Sequence, residues 1–365
     1  MSIKKILSFV LCLALCLCVF TGCGSKEKSD EPKPAVNPAR SNALMIINGK
    51  EISFQDFKYF LNYYKSTLES YTGDITDWST ELFEGYTYND YVLESARDWY
   101  TYAAAIRMQA ERIGAEITDE DKEYLEQQWK NTCDQYGGEA GLLSQLSATG
   151  CTKELYMYIL ETSYLSDKCY KTMFGERAEA VTDEQCAERA EEQGYIMAKH
   201  ILILTDGTAP DGTEVHLNDE EKAEAKQKAQ SIVQVLNNVF PEELEAQFDE
   251  LMKANSEDPG SYNYPNGYLF KEGDMVPEFY EATKALEIGQ YSDVVESSYG
   301  YHVIFRVPID YDTPPIASND YGFTFRYMVG DEILSAEIDD CKDRLEITKD
   351  IDISSIDLTT IFAYG

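Results

Sequence analysis

Two of the three histidines in this 365-residue chain sit inside apolar runs with strand alternation. His200 lies in AKHILILT (198–205), and His302 lies in YGYHVIFRVP (299–308). An imidazole is the side chain best suited to donate, accept or move a proton near neutral pH. Taken singly, each of these two reads equally well as a core histidine with satisfied hydrogen bonds, so their meaning depends on what lies between them. There, SEDPGS places Asp258 in a polar turn. Met275 and Phe279 follow four residues apart, a spacing that puts both on one face of a helix. The cysteines offer no rival chemistry. Beyond residue 23 the sequence has Cys133, Cys151, Cys169, Cys186 and Cys341, widely spaced and without a CxxC or Cys/His cluster. Neither a zinc site nor a disulfide framework is indicated, and no metal or cofactor is expected.

The elements that must position these residues fall into two patterns. ALMIINGKEIS (43–53) reads as a hairpin turning at Asn48-Gly49. Ser53 then caps a helix in which Phe54, Phe57, Leu61, Tyr64 and Leu68 recur at helical spacing. From 53 to 194 the pattern is helical throughout, with starts at Thr118 and at the capping box Thr182/Gln185 and stops at Gly114 and Gly175. At Tyr195 the pattern changes. A strand holding His200, a turn-rich loop with His216, two helices, the short strand GYLF, a proline-started helix and two closing strands follow in the order β-α-α-β-α-β-β. After a linker from 309, a last helical run (about 322–347) has too few partners of its own and is expected to pack on the 43–194 helices. The fold class is thus α+β: a mostly helical domain (43–194, completed by 309–365) carrying an inserted module at 195–308.

Composition limits the partners. With 31 basic and 66 acidic side chains the net charge is −35, which repels nucleic acid and anionic membrane faces. The start of the chain points elsewhere. A short basic stretch, MSIKK, precedes the 15-residue run ILSFVLCLALCLCVF. That run falls short of the ~20 residues a spanning helix needs and has the layout of a signal peptide over residues 1–22. The stretch FTGC resembles a bacterial lipobox, with an aromatic residue at its first position where an aliphatic one is usual. The resemblance implies that Cys23 becomes an acylated N-terminus, with residues 23–42, polar and proline-containing, as a flexible tether. The protein is then expected on the outer face of a bacterial cell membrane.

Residues 195–308 resemble a parvulin-type peptidyl-prolyl cis/trans isomerase. KHILI, SEDPGS, GYLF, GDMVPEF and YGYHVI occur in the family's order. With the lipobox and the flanking helices, the chain resembles the PrsA-type extracytoplasmic foldases, and IINGKEISFQDF (46–57) resembles the SurA/PrsA chaperone domain. The resemblance implies catalytic roles for His200, Asp258 and His302, and a proline slot walled by Phe270, Met275 and Phe279. It implies unfolded or newly secreted chains with X–Pro bonds as partners. Carboxylate charge beside the histidines would raise their pKa and burial would lower it; the sequence leaves the balance open. Tyr299 stands where some active members have a small hydroxyl residue, which Ser297 or Ser298 could supply. The loop after KHILI has no basic cluster, so phosphorylated Ser/Thr–Pro clients are not expected.

Two other readings compete with this one. One is a chaperone or scaffold whose isomerase module turns over little. The other is a transporter's solute-binding lipoprotein, which would need two α/β lobes where residues 53–194 read as helical. For the tether, mass spectrometry of the mature N-terminus should find lipid on Cys23. An unmodified Cys23, or a chain still beginning at residue 1, would overturn it.

Overall fold

The computed structural model describes residues 43–317, 322–352 and 356–363. The expected signal peptide, Cys23 and tether lie outside the described residues. In chain order the elements are β1 (Met45–Ile47), β2 (Lys50–Ile52), α1 (Phe54–Thr72), β3 (Glu81–Phe83), β4 (Tyr86–Thr87) and α2 (Tyr88–Ile113). Next come α3 (Asp119–Gln135), α4 (Glu139–Thr149), α5 (Lys153–Phe174) and α6 (Asp183–Gln193). They continue with β5 (Ile196–Leu204), β6 (Asp206–Thr208), β7 (Glu214–His216), α7 (Asp219–Leu236) and α8 (Leu244–Asn255). The chain closes with β8 (Tyr268–Phe270), α9 (Pro277–Ala285), β9 (Val295–Glu296), β10 (Gly300–Val307), α10 (Phe325–Asp343), β11 (Ile347–Lys349) and α11 (Leu358–Ala363). The described residues divide into two compact units: those up to Met173 together with those from Leu334, and those within Phe174–Ile333.

The first unit is helical around an aromatic core. Phe57, Phe60, Leu61, Tyr64 and Leu68 of α1 are buried at helical spacing. Phe60 stacks on Trp99 of α2 with ring centroids 4.0 Å apart. Burying each such large side chain contributes about 1.5–3 kcal/mol. The hairpin β1–β2 turns at Asn48-Gly49, both with positive φ (47° and 76°), as a two-residue Asn-Gly turn requires. Residues from the far end of the chain complete this unit. β11 pairs antiparallel with β1, Arg97 bonds the Asp350 carboxylate, and the Asn89 side chain donates to the Ile356 carbonyl. All five cysteines beyond residue 23 are buried and free. Among the described residues no helix is long and apolar enough to cross a membrane.

The helical reading of 53–194 needs one correction. A small hairpin, β3–β4, interrupts it. Strands of two or three residues are too short to show alternation, so periodicity alone misses them. The same holds for β6–β7, which sits in the loop after His200, and for β11 in the tail.

The second unit is built on a four-stranded antiparallel sheet in the order β8-β5-β10-β9. Facing residues of an antiparallel pair share a side, and side chains alternate. His200 faces Ile304, so His302, two residues from Ile304, lies on the same side. Ala198 faces Tyr268 and Ile196 faces Phe270, which puts both aromatics on that side too. Helix α9 covers this face with Phe279 and Tyr280. The opposite face packs on α8: Phe248 meets Phe305 at 5.1 Å, and the buried Lys199 ammonium pairs with Glu245 (2.9 Å) and Asp249 (2.8 Å).

Gly300 opens β10 at φ 149°, where a Cβ would fall 2.2 Å from the Ile203 carbonyl oxygen. Gly300→Ala should therefore destabilise the second unit by about 2 kcal/mol or more. Proteolysis of that unit in urea measures the loss. All three tryptophans (78, 99 and 129) lie in the first unit, so their fluorescence serves as an internal control. An unchanged midpoint would show that the strand tolerates the clash.

Candidate active site

The register of β5 and β10 brings the two imidazoles into contact. His200 Nδ1 lies 3.1 Å from His302 Nδ1, and the rings are nearly parallel with centroids 5.3 Å apart. His200 Nε2 reaches Asp258 Oδ2 at 3.0 Å. Asp258 stands just before a short 3₁₀ turn (Pro259–Tyr262) and accepts the Gly260 N–H at 3.0 Å, so the SEDPGS turn holds the carboxylate in place. The Tyr268 hydroxyl donates to the same Asp258 oxygen at 2.5 Å. At the other end, Ser297 Oγ lies 2.7 Å from His302 Nε2 and accepts the Tyr299 N–H at 3.2 Å.

With both rings neutral, one arrangement of protons satisfies every contact. Ser297 donates to His302 Nε2, His302 donates through Nδ1 to His200, and His200 donates through Nε2 to Asp258. Both imidazoles are buried, where polar groups must be hydrogen-bonded, and all four of their ring nitrogens are. The electrostatics agree. Burial first, then the repulsion that a proton on His200 would exert, pull His302 down to about 3 against the opposing pull of Asp258, so the His302 ring stays neutral. For Asp258, burial pushes the pKa up, but the bonds from His200, Tyr268 and Gly260 outweigh it and hold the carboxyl at about 2. Burial and the Asp258 carboxylate push the Tyr268 phenol well above its ordinary value, so it stays a donor. Burial thus wins for His302, the balance the sequence left open.

Phe279 of α9 closes the apolar side, its ring centroid 5.0 Å from that of His200 and 5.4 Å from that of His302. Phe270 lies behind it at 5.6 Å, fully buried. Met275 is half-buried against the same cluster. The expectation that Met275 and Phe279 share a helix face is corrected here. Pro277 is the first residue of α9, and Val276 before it is extended at ψ 141°. A residue preceding proline avoids the helical region, so Met275 sits in the turn ahead of the helix.

Of the residues singled out from sequence, His200, Asp258 and His302 come together, Phe270, Phe279 and Met275 cluster beside them, and Cys23 lies outside the described residues. Of the two candidate serines, Ser297 reaches His302. Tyr268 was missed, although its two-residue offset from Phe270 places it on the same face. His216 is exposed and bonds Asp206 at 3.1 Å, apart from the pair. Among the described residues no group of three or more His, Cys, Asp or Glu side chains is set to hold a metal. A separate cleft of about 910 Å³ in the same unit, lined by Asp183, Asp312, Phe323, Arg326 and Tyr327 among others, includes none of the site residues.

This sheet, its paired histidines and the covering helix define a parvulin-type isomerase domain. The PPIC-type peptidyl-prolyl isomerase family matches residues 185–307. Beyond that domain the chain is similar to proteins described as foldase protein PrsA. It is 26% identical over 270 residues to that of Caldanaerobacter subterraneus subsp. tengcongensis, covering 72% of each chain. It is 30% identical over 182 residues to that of Staphylococcus aureus strain MRSA252 (49% of this chain, 50% of the relative). It is 33% identical over 147 residues to that of Oceanobacillus iheyensis (38% and 40%). The chain therefore spans about half or less of the second and third of these relatives.

The site makes the second unit acid-sensitive in a defined window. Free His302 titrates near 6.5 and folded His302 at about 3, so the unfolded chain binds the proton first. Stability is complete above 6.5 and is lost as pH falls toward 3. Asp258, at 3.8 unfolded and about 2 folded, adds a further loss between those values in the same direction. Hydrogen exchange of the β5 and β10 amides should accelerate steadily as pH drops below about 6.5, after correction for intrinsic rates. His302→Gln should flatten the upper part of that trend. Protection that holds level down to about pH 4 would contradict a neutral, buried His302.

Proposed function

We propose that the chain is a membrane-tethered extracytoplasmic foldase. Its second unit speeds cis/trans isomerisation of X–Pro bonds, and its helical unit holds unfolded secreted chains. The observation that carries this reading is the meeting of His200, His302 and Asp258 beside Phe279, within a domain of the parvulin family.

The chemistry asks for no nucleophile. Resonance stiffens the C–N bond against a barrier of ~18–20 kcal/mol. In the twisted transition state the carbonyl oxygen loses negative charge and the nitrogen becomes more basic. The planar form is the more polar and the better hydrated. Removing water around it therefore raises the ground state relative to the twisted one. Phe279, Phe270 and Met275 provide the apolar seat for the proline ring. The imidazole pair, fixed by Asp258, Tyr268 and Ser297, provides polar groups whose directions do not have to be reorganised as the bond turns. The signal layout and Cys23 support a lipid anchor outside the cytoplasm, and the PrsA relatives support protein clients.

Cis/trans exchange of a short unphosphorylated X–Pro peptide, followed by NMR with the purified chain, tests the isomerase. Exchange should rise well above buffer. His302→Ala and Met275→Ala should each lower it by about tenfold or more, the scale at which mispositioning a site group acts, while circular dichroism stays native. A folded chain with exchange at the buffer rate would leave a binding-only chaperone in its place.

A further inference from the structure

Two donors converge on one oxygen at the end of the polar line. Asp258 Oδ2 accepts from His200 Nε2 (3.0 Å) and from the Tyr268 hydroxyl (2.5 Å), while Oδ1 accepts the Gly260 N–H (3.0 Å). The Tyr268 ring is buried and braced on two sides. It stands edge-on to His200 with centroids 5.5 Å apart and lies tilted against Tyr264 at 4.9 Å. Its hydroxyl fits because residue 260 has no side chain. A Cβ there would lie 2.2 Å from Tyr268 Oη and 3.4 Å from Asp258 Oδ1. The SEDPGS turn thus makes room for the phenol as well as holding the carboxylate.

These donors decide which way the protons run. In the neutral order hydrogen sits on His302 Nδ1 and on His200 Nε2, each pointing toward the Asp258 end. One added proton, whether it lands on Asp258 or on His200, turns the line round. His200 Nδ1 then carries hydrogen and points at His302, whose own hydrogen moves to Nε2 and points at Ser297. The Tyr268 bond opposes both landings. It stabilises the bare carboxylate, and it draws off charge that would otherwise hold a second proton on His200. Among the described residues, neighbouring charges are committed elsewhere. Glu257 is taken by the Leu204 N–H and by Lys228, and Lys199, Glu245 and Asp249 pair on the other face of the sheet. Helix α9 and β9 set only Phe279 and Val295 against His302.

We propose that Tyr268 is a positioning residue for the isomerase: through Asp258 it holds the proton order in which both imidazoles are neutral and His302 donates to His200. Its contribution to the rate lies in fixing that order before the bond turns, so that no dipole has to be redirected during the reaction. This inference rests on the isomerase reading above and adds to it a residue that acts through another.

Imidazole nitrogen NMR spectra of the purified full chain, recorded from about pH 8 down to about pH 4, read the order directly. The exposed His216 supplies the one signal apart from the pair. At the upper end the wild-type chain should carry hydrogen on His200 Nε2 and His302 Nδ1. In Tyr268→Phe, which keeps the ring, the pH at which the order reverses should rise by about one unit, the scale of one bond to a charged group. The fall of kcat/KM on the acid side, measured with an Ala–Pro peptide, should move up by the same amount while circular dichroism stays native. Gly260→Ala, which crowds the hydroxyl and leaves the tyrosine in place, should move both readouts in the same direction. A loss of activity equal at every pH, with unaltered spectra in both variants, would reduce Tyr268 to packing and overturn the proposal while leaving the isomerase intact. Variants that match the wild type throughout would do the same. Catalysis at the buffer rate by the wild-type chain would instead overturn the isomerase reading and this one with it.

Discussion

The antiparallel pairing of β5 with β10 is the constraint on which the site depends. It sets His200 opposite Ile304 and therefore puts His302 on the same face one step along. A slip of β5 by one residue would turn every one of its side chains over, carrying His200 to the face of Phe305 and away from Asp258. Both faces of this sheet are buried, so the register is specified twice. One face carries the histidines under Phe279, and the other locks Lys199 into a double ion pair with α8. The ion pair touches no site residue, yet it fixes the strand that carries one.

Around that register the polar groups form a line rather than a cluster. Each has a defined partner, from the Gly260 amide through Asp258, the two imidazoles and Ser297 to the Tyr299 amide. Such a line is stiff because removing one member leaves its neighbours buried and unsatisfied. It is also neutral at His302, which suits a reaction whose transition state is less polar than its ground state.

Much of this was legible in the sequence, for reasons of period and local chemistry. The alternation around His200 and His302, the Asn48-Gly49 turn, the helix start at Thr118 and the capping box at Thr182 are all short-range signals, and each formed as read. The β-α-α-β-α-β-β order also followed, with a small extra hairpin. What escaped was decided by tertiary partners. Nothing local says that the Tyr268 hydroxyl must find Asp258, or that Ser297 and not Ser298 must face His302. Met275 escaped for a local reason given too little weight, the extended backbone that Pro277 imposes on the residue before it.

The pairing of β11 with β1 has a consequence for how the molecule assembles. A chain emerging from its N-terminus presents β1 and β2 first, but the strand that completes their sheet follows some 300 residues later. The second unit is one uninterrupted stretch ending at Ile333, so its contacts are all available before β11 and α11 have been made. The order of synthesis thus favours finishing the catalytic part first, while the helical part keeps its apolar face open until the tail arrives.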